Sequence, residues 1–277
     1  MEGDGFDARK WEDLDLDVLV TIFQKFNILE LTSGIGHVCK SWRYAVCDPL
    51  LWKTLDFSML TSNFIKIPLE PYVYVDRRSD KQLTKLLKIA LNLSCGNATM
   101  MPAWNRIKET GICKAISMWK DLESLTMPSI ADPSCFMEEI SKHCKKFSEL
   151  KIMGVCDIEF VQSLVQYVPN LKVLSLRCSI LYKDALLLVL NGLMNLEVLN
   201  ISHSLIVEGP PPPAPIKVVE ELDESILEKG SRLREFLTCM NDSCIMCQRM
   251  KMDEGLMRWY RYEKGLWKED EVSSLAI

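Results

Sequence analysis

The chain has 277 residues, of which 48% are hydrophobic and 26% are charged, and its net charge is −5. This length and composition are typical of a soluble globular protein with one large domain or two smaller ones. The acidic balance provides no basic field for nucleic acid or for an anionic membrane surface, so we expect no nucleic-acid partner and no membrane partner.

The first residues are acidic, and we expect residues 1–10 to be a disordered N-terminus. They lack the basic start and the apolar core of a secretion signal, and no apolar run reaches the roughly 18 residues of a membrane span. These features predict a cytoplasmic and/or nuclear protein. The eleven cysteines are an odd number spread along the chain, which favours reduced thiols packed as small hydrophobic side chains over a disulfide framework.

Residues 11–52 carry two sets of apolar residues at helical spacing. The first set predicts one helix and consists of Val18, Leu19, Ile22, Phe23 and Phe26. The second set predicts another helix, ending before Asp48-Pro49, and consists of Ile35, Val38, Cys39, Trp42 and Val46. A segment of about 40 residues is close to the lower limit for an independent fold. These helices therefore either cap the rest of the chain or form a docking surface.

The order of residues in this segment resembles an F-box. That pattern has a Leu-Pro pair, an acidic residue and an Ile-Phe pair, followed by Val-Cys-Lys-x-Trp-Arg and by Asp-Pro-x-Leu-Trp. The matching positions here are Leu14, Asp17, Ile22-Phe23, Val38 to Arg43 and Asp48 to Trp52. Asp15 replaces the proline of the first pair, which predicts a less rigid turn into the first helix.

The resemblance implies that this segment binds a Skp-type adaptor, and that the adaptor joins the chain to a cullin. The residues expected to contact the adaptor, or to support the residues that do, are Leu14, Leu19, Ile22, Phe23, Val38, Cys39, Trp42 and Trp52.

Downstream of this segment the sequence repeats itself with a nearly constant period. Apolar units of the LxxLxL type begin at Leu122, Phe147, Leu171 and Leu196, at steps of 25, 24 and 25 residues. Helical runs lie between the units, at residues 135–144, 158–168 and 184–193. This pattern is typical of a leucine-rich repeat, in which the periodic side chains form one continuous core. An ordinary α/β domain with coincidental spacing is the alternative.

The predicted fold is therefore α/β, with a helical F-box at residues 11–52 joined to a short leucine-rich-repeat solenoid at residues 53–238. Parallel strands are expected on the concave face of the solenoid and helices on its convex face.

The first edge of the array is irregular. Trp52 to Phe57 has the apolar spacing of a strand unit, and residues 67–72 are expected to form an irregular loop. Ser79-Asp80 is expected to begin a helix that leads to a strand at Leu91-Asn92-Leu93. The next strand lacks its large apolar residues, so we expect the array to be short of most of one repeat near residues 94–101, with a local distortion.

At the far end, Leu233 to Leu237 predicts a last strand, 37 residues after Leu196. The excess length corresponds to a proline-rich insertion at residues 207–216, which acts as a stiff exposed spacer or binds a domain that recognises polyproline. Residues 239–277 are expected to form a C-terminal cap, because an open array must cover its last hydrophobic face. A partner site on the aromatic residues of this tail is the alternative.

The C-terminal cysteines are the main candidates for chemistry. Cys239-x4-Cys244-x2-Cys247 has the spacing of zinc ligands, but structural zinc needs four, and the nearest histidine in the sequence is His203. Ordinary reduced thiols are therefore favoured, and no metal or cofactor is predicted. His143 and Cys144 are adjacent and point in different directions on a helix, so no catalytic residue is predicted either.

Side chains that alternate with the core leucines are expected to line the concave face. They are either solvated or recognise a protein segment. The candidate substrate-binding residues are Thr126, Lys151, Ser175, Arg177, Asn200 and Ser202.

The F-box-like segment and the repeats together resemble the plant F-box proteins that carry leucine-rich repeats. That family implies a non-catalytic substrate-recognition subunit of an SCF-type E3 ubiquitin ligase, which binds the Skp-type adaptor through the F-box and a target protein through the repeats. Two other hypotheses remain open. One is a leucine-rich-repeat protein-binding scaffold without ligase association, and the other is a thiol or zinc enzyme centred on the C-terminal cysteines.

Overall fold

The computed structural model describes residues 11, 14–56, 64–67, 70–74, 89, 93, 116–127, 130, 132–209, 217–252, 271, 272 and 275. The helices of these residues are α1 (Leu16–Phe23), α2 (Ile28–Ser33), α3 (Lys40–Val46), α4 (Pro133–His143), α5 (Ile158–Tyr167), α6 (Lys183–Gly192), α7 (Glu224–Gly230) and α8 (Ile245–Met252). None of the helices in these ranges is long and apolar enough to cross a lipid bilayer. The predicted disordered N-terminus, residues 1–10, lies outside the described residues.

The strands, in chain order, are β1 (Thr54–Asp56), β2 (Phe64–Ile67), β3 (Glu70–Tyr74), β4 (Ser124–Met127), β5 (Glu149–Ile152), β6 (Val155–Cys156), β7 (Val173–Ser175), β8 (Ile180–Tyr182), β9 (Val198–Asn200), β10 (Leu205–Glu208), β11 (Lys217–Val218) and β12 (Glu235–Leu237).

Helix α1 begins where the F-box-like pattern places its first helix. Asp15, which replaces the proline of that pattern, has φ −57° and ψ 145°. This φ lies in the range that a proline ring fixes, so Asp15 directs the backbone as a proline would. Asp17 in the first turn adds a negative charge near the positive end of the helix dipole, which stabilises the start of the helix.

The prediction of one continuous helix from Ile35 to Val46 is wrong. Ile35–His37 forms a 3-10 turn, Cys39 is extended with φ −155° and ψ 179°, and α3 begins after it. An additional helix, α2, comes before this turn because Asn27 and Glu30 form a capping box. The Asn27 side chain accepts from the Glu30 N–H at 3.0 Å, and the Glu30 carboxylate accepts from the Asn27 N–H at 2.9 Å.

The repeat units form one parallel sheet with the strand order β1-β4-β5-β7-β9-β12. Because the strands pair in register, the equivalent apolar residues of successive units lie side by side. This ladder consists of Leu55, Leu125, Leu150, Leu174, Leu199 and Phe236. All five leucines are buried, which is what a shared core requires. The predicted architecture of a helical N-terminal segment and parallel repeats is confirmed.

Helices α4, α5 and α6 occupy the three predicted helical runs to within two residues at each end. Asp132 and Asp157 cap the first two of these helices by accepting the N–H groups of Cys135 and Phe160. The core is continuous along the chain, from Leu19 in α1 through the start of the sheet to the last repeat. The N-terminal helices are therefore packed onto the solenoid.

A second sheet, with the order β11-β10-β8-β6, has no counterpart in the sequence prediction. Its strands have two to four residues each, too few to show a periodic pattern. They also correct the start of the proline-rich insertion. Val207 and Glu208 belong to β10 and pair with Val218 and Lys217, and Val207 is buried. Residues 210–216 lie outside the described residues.

At the first edge of the main sheet, β1 pairs directly with β4. The predicted irregular loop at residues 67–72 is wrong where the chain is described, because β3 pairs there with β2 in an antiparallel hairpin. The strand expected at Leu91-Asn92-Leu93 is also wrong at Leu93, which is helical. The helix start at Ser79-Asp80 and the shortened repeat near residues 94–101 fall outside the described residues.

Gly192, at the end of α6, permits the close approach of α5. A Cβ atom at this position would lie 2.5 Å from Cγ2 and 3.1 Å from Cγ1 of Val165, a branched side chain with little rotamer freedom. The clash outweighs the roughly 1 kcal/mol by which a helix favours alanine over glycine. We expect Gly192→Ala to lower the free energy of unfolding by about 1–3 kcal/mol, measured by urea unfolding.

Gly34→Ala is the matched control, because the nearest atom to a Cβ there is the Glu30 carbonyl oxygen at 3.7 Å. It should change the free energy of unfolding by less than about 0.5 kcal/mol. Adding Val165→Ala to Gly192→Ala should recover part of the loss, because it removes both clashing methyl groups. A Gly192→Ala protein as stable as the wild type would contradict the close packing of α5 and α6.

Candidate docking surface and concave face

The N-terminal helical segment exposes an unusual amount of apolar surface. Of the fourteen large hydrophobic side chains that are exposed among the described residues, eight lie within residues 11–52. They are Trp11, Leu16, Val18, Ile22, Phe26, Val38, Tyr44 and Leu50. We call this set the apolar surface of the N-terminal segment. Exposed large apolar residues concentrated in one short segment indicate a site of protein association.

Helix α1 separates a core-facing side from an outward-facing side. Leu19, Val20 and Phe23 are buried, and the Phe23 ring packs edge-on against Trp42 with the ring centroids 5.2 Å apart. Ile22 lies one turn after Val18, and both are exposed. One side of α1 therefore holds the helix to the protein and the other presents apolar groups to a partner.

The predicted adaptor-binding residues divide between these two roles. Ile22 and Val38 are exposed, whereas Leu19, Phe23 and Trp52 are buried in the core. The remaining three, Leu14, Cys39 and Trp42, are half-buried.

Hydrogen bonds fix the two tryptophans of the predicted set. The Trp52 indole N–H donates to the Val46 carbonyl at 2.9 Å, and the Trp42 indole N–H donates to the Trp11 carbonyl at 3.2 Å. Leu16, Tyr44 and Leu50 belong to the apolar surface but to neither of the periodic sets in the sequence. Helical periodicity finds apolar residues that recur along one side of a helix, including the exposed Val18, Ile22, Phe26 and Val38, but it overlooks apolar residues that fall outside this spacing.

The six predicted substrate-binding residues are all buried, namely Thr126, Lys151, Ser175, Arg177, Asn200 and Ser202. Four of them, Thr126, Lys151, Ser175 and Asn200, are neighbours across strands β4, β5, β7 and β9. We call these four residues the polar ladder. Glu271 and Leu275 lie against it. The concave side of the sheet is therefore covered where these residues lie.

Glu271 is the centre of that contact. Its carboxylate lies 3.0 Å from the Lys151 ammonium, and it accepts hydrogen bonds from the Ser175 hydroxyl at 3.1 Å and from the Asn200 amide at 2.9 Å. The Lys151 ammonium also donates to the Leu275 carbonyl at 3.0 Å. The Val272 N–H also donates to it at 3.1 Å, so Glu271 is a buried carboxylate held by one cation and three neutral donors.

Apolar packing extends the same contact. Val272 and Leu275 are buried against Val173 and Val198, with Leu237 at the edge. We refer to Glu271, Val272 and Leu275 together as the C-terminal segment. The sequence contains no signal for this contact, because Lys151 and Leu275 are 124 positions apart and no periodic pattern joins them.

The solitary cysteines of the repeats are packed as predicted for reduced thiols. Nine of the eleven cysteines are described, and none of these nine forms a disulfide bond. Burial raises the pKa of the Cys144 thiol to about 11, and this thiol donates to the Trp119 carbonyl at 3.3 Å. The neighbouring His143 instead faces Glu139, with Nε2 3.5 Å from its carboxylate. These two residues do not form a nucleophile and base pair.

A different cysteine group is brought together by the fold. His203 lies beside Cys239, Cys244 and Cys247, and one potential ligand atom from each of the four lies within 4.8 Å of the others. The three cysteines have the spacing of zinc ligands, but no fourth ligand lies close to them in the sequence. The structure supplies it from the loop after β9.

Comparison with known proteins agrees with this organisation. Residues 11–58 match the F-box-like family. The chain is 54% identical over 300 residues to the F-box/LRR-repeat protein At3g48880 of Arabidopsis thaliana, covering 97% of each chain. It is 24% identical to the F-box protein FBW2 of the same plant, covering 94% of this chain and 88% of that one.

A third relative, the putative F-box protein At4g11580 of Arabidopsis thaliana, is 23% identical over 100% of this chain and 99% of its own length. The F-box-like match covers the helices that expose the apolar surface, and the similarity to At3g48880 extends across the repeats and the C-terminus. The chain therefore belongs to the plant F-box/LRR-repeat protein family.

Proposed function

We propose that this protein is the substrate-recognition subunit of an SCF-type E3 ubiquitin ligase in the cytosol or nucleus. Its F-box-like segment binds a Skp-type adaptor that connects it to a cullin, and its repeats hold a target protein. The observation that carries this proposal is the apolar surface of the N-terminal segment, which concentrates eight large exposed side chains in 42 residues. A partner that covers this surface removes it from water, which is favourable by about 25 cal/mol per Å² of apolar area.

The continuous core fixes the N-terminal segment relative to the repeats. Trp52 and Leu55 are buried in the same core as the helices before them and the repeats after them. An adaptor bound to the apolar surface is therefore held at a fixed position relative to the sheet. A target on the repeats would then meet the ubiquitin-carrying enzyme at a high effective concentration, so the receptor contributes geometry and binding energy.

The polar ladder on the concave face remains our candidate for target recognition. In the structure it already binds the Glu271 carboxylate, and the apolar side chains of Val272 and Leu275 lie beside that carboxylate. A target segment that replaced the C-terminal segment would need the same chemistry, which is an acidic residue next to aliphatic ones. We therefore propose that targets reach Lys151, Ser175 and Asn200 in a state in which the C-terminal segment has left the sheet.

Adaptor binding is tested by placing charges on the apolar surface. We expect the double variant Ile22→Lys, Val38→Lys to weaken binding to a Skp-type adaptor by at least about 100-fold, because two lysines would be desolvated in an apolar interface. Both side chains are exposed in the free protein, so the unfolding temperature should be unchanged. Binding is measured by calorimetry with the purified adaptor.

The matched control is Met194→Lys, Leu227→Lys, which makes the same change at two exposed apolar residues of the repeats. It should bind the adaptor as the wild type does. Equal binding by both double variants would contradict the proposed interface. Absence of adaptor binding by the wild type would instead favour a repeat scaffold without ligase association.

The contact of the C-terminal segment predicts a large effect at Glu271. The Lys151 side chain is only 1% exposed, and Glu271→Ala removes the carboxylate that pairs with its charge. This variant should lower the free energy of unfolding by about 3–5 kcal/mol. The double variant Lys151→Met, Glu271→Met replaces the ion pair by apolar groups of similar length and should recover part of the loss, because Ser175 and Asn200 still lose the carboxylate that accepts from them. Thermal and urea unfolding measure both. Additive effects of the two substitutions would contradict a direct pairing.

A further inference from the structure

The four side chains His203, Cys239, Cys244 and Cys247 meet beside β12, the last strand of the main sheet. His203 and Cys247 are buried, and Cys239 and Cys244 are half-buried. Three cysteines and one histidine form a complete ligand set for a structural zinc ion, with no position left over for water or a substrate.

Three distances within this group are close to those that such an ion requires. Tetrahedral zinc with Zn–S near 2.3 Å and Zn–N near 2.05 Å places two sulfurs about 3.8 Å apart, and a sulfur and a nitrogen about 3.6 Å apart. The Cys239 and Cys247 sulfurs are 3.7 Å apart. The His203 Nδ1 atom lies 3.5 Å from the Cys244 sulfur and 3.2 Å from the Cys247 sulfur. A disulfide would require the two sulfurs to be about 2.05 Å apart.

The repeat fold itself brings His203 to the cysteines. Strands β9 and β12 pair in register, so the loops that follow them run side by side. The His203 N–H donates to the Cys239 carbonyl at 2.9 Å, just as the Cys178 N–H donates to the Ser202 carbonyl at 2.9 Å one repeat earlier. His203 and Cys178 share left-handed backbone conformations, with φ of 59° and 55°. The turn that carries the histidine is thus a recurring part of the solenoid.

The remaining two ligands lie at the start of α8. Cys247 is in the first turn of that helix and Cys244 directly precedes the helix. Because the two cysteines are three positions apart, their side chains lie on the same side. We propose that His203, Cys239, Cys244 and Cys247 bind one structural zinc ion through the imidazole Nδ1 atom and three thiolate sulfurs.

The ion would close the open end of the repeats. The apolar contacts around α8 form a small cluster of Cys178, Met246 and Met250 with Cys244, separate from the main core. A metal that joins the loop after β9, the loop after β12 and the start of α8 would fix this helix over the last strand. Because such a site exists only in the folded chain, its binding free energy contributes directly to folding. The site does not depend on adaptor binding, and the two proposals can fail separately.

The first test is the metal content of the full-length protein, purified under reducing conditions without added metal and analysed by mass spectrometry. We expect one zinc ion per chain. His203→Ala should lose the ion, whereas His203→Cys keeps four ligands and should retain it. Cys144→Ala is the matched control, because it removes a buried thiol outside the group and should leave the metal content unchanged.

The second test uses the wild-type chain and therefore does not depend on the folding of any variant. A zinc chelator should lower its unfolding temperature, and added Zn²⁺ but not Mg²⁺ should restore it. Co²⁺ in place of zinc should give the visible absorption of a tetrahedral thiolate complex. A metal-free wild type whose unfolding temperature does not respond to Zn²⁺ would overturn the proposal, and so would full zinc content in His203→Ala.

Discussion

The register of the parallel strands is the constraint on which the rest of this structure depends. One apolar ladder runs from Leu55 to Phe236, and its leucines are excluded from water. Side chains alternate between the two faces of a strand, so a shift of a single residue in any strand would turn its core side chains to the opposite face. The ladder also joins the F-box-like helices to the repeats, since Leu55 and Trp52 lie in the same core.

The same register creates both polar features of the molecule. It lines up Lys151, Ser175 and Asn200 on adjacent strands, so that one carboxylate from the C-terminal segment satisfies all three. It also sets the loop of His203 beside Cys239. The last repeat of a solenoid has no following repeat to cover it, and here Cys247 of α8 lies beside Cys239, which follows the last strand. Glu271, Val272 and Leu275 instead cover the concave face at β5, β7 and β9.

The F-box-like segment follows a different principle, because part of its apolar surface faces outward. Leu19, Val20 and Phe23 are buried in the core, whereas Val18 and Ile22 keep 44% and 37% of their surface exposed. Large apolar side chains kept in water give the free chain no stability, which is why we propose a partner that covers them. The segment thus connects the stability of the repeats to the proposed association with an adaptor.

The sequence by itself determined the features that repeat at short range. The spacing of apolar residues located α1, α4, α5, α6 and the main strands, and the ordered residues from Leu14 to Trp52 indicated the F-box. The tertiary structure alone decided the break at Cys39, the second sheet, the cover over Lys151 and the place of His203 among the cysteines. The break at Cys39 and the short strands of the second sheet involve too few residues to show a period. The contacts of Lys151 and His203 join residues far apart in the sequence, and periodicity records only which side chains share a local face.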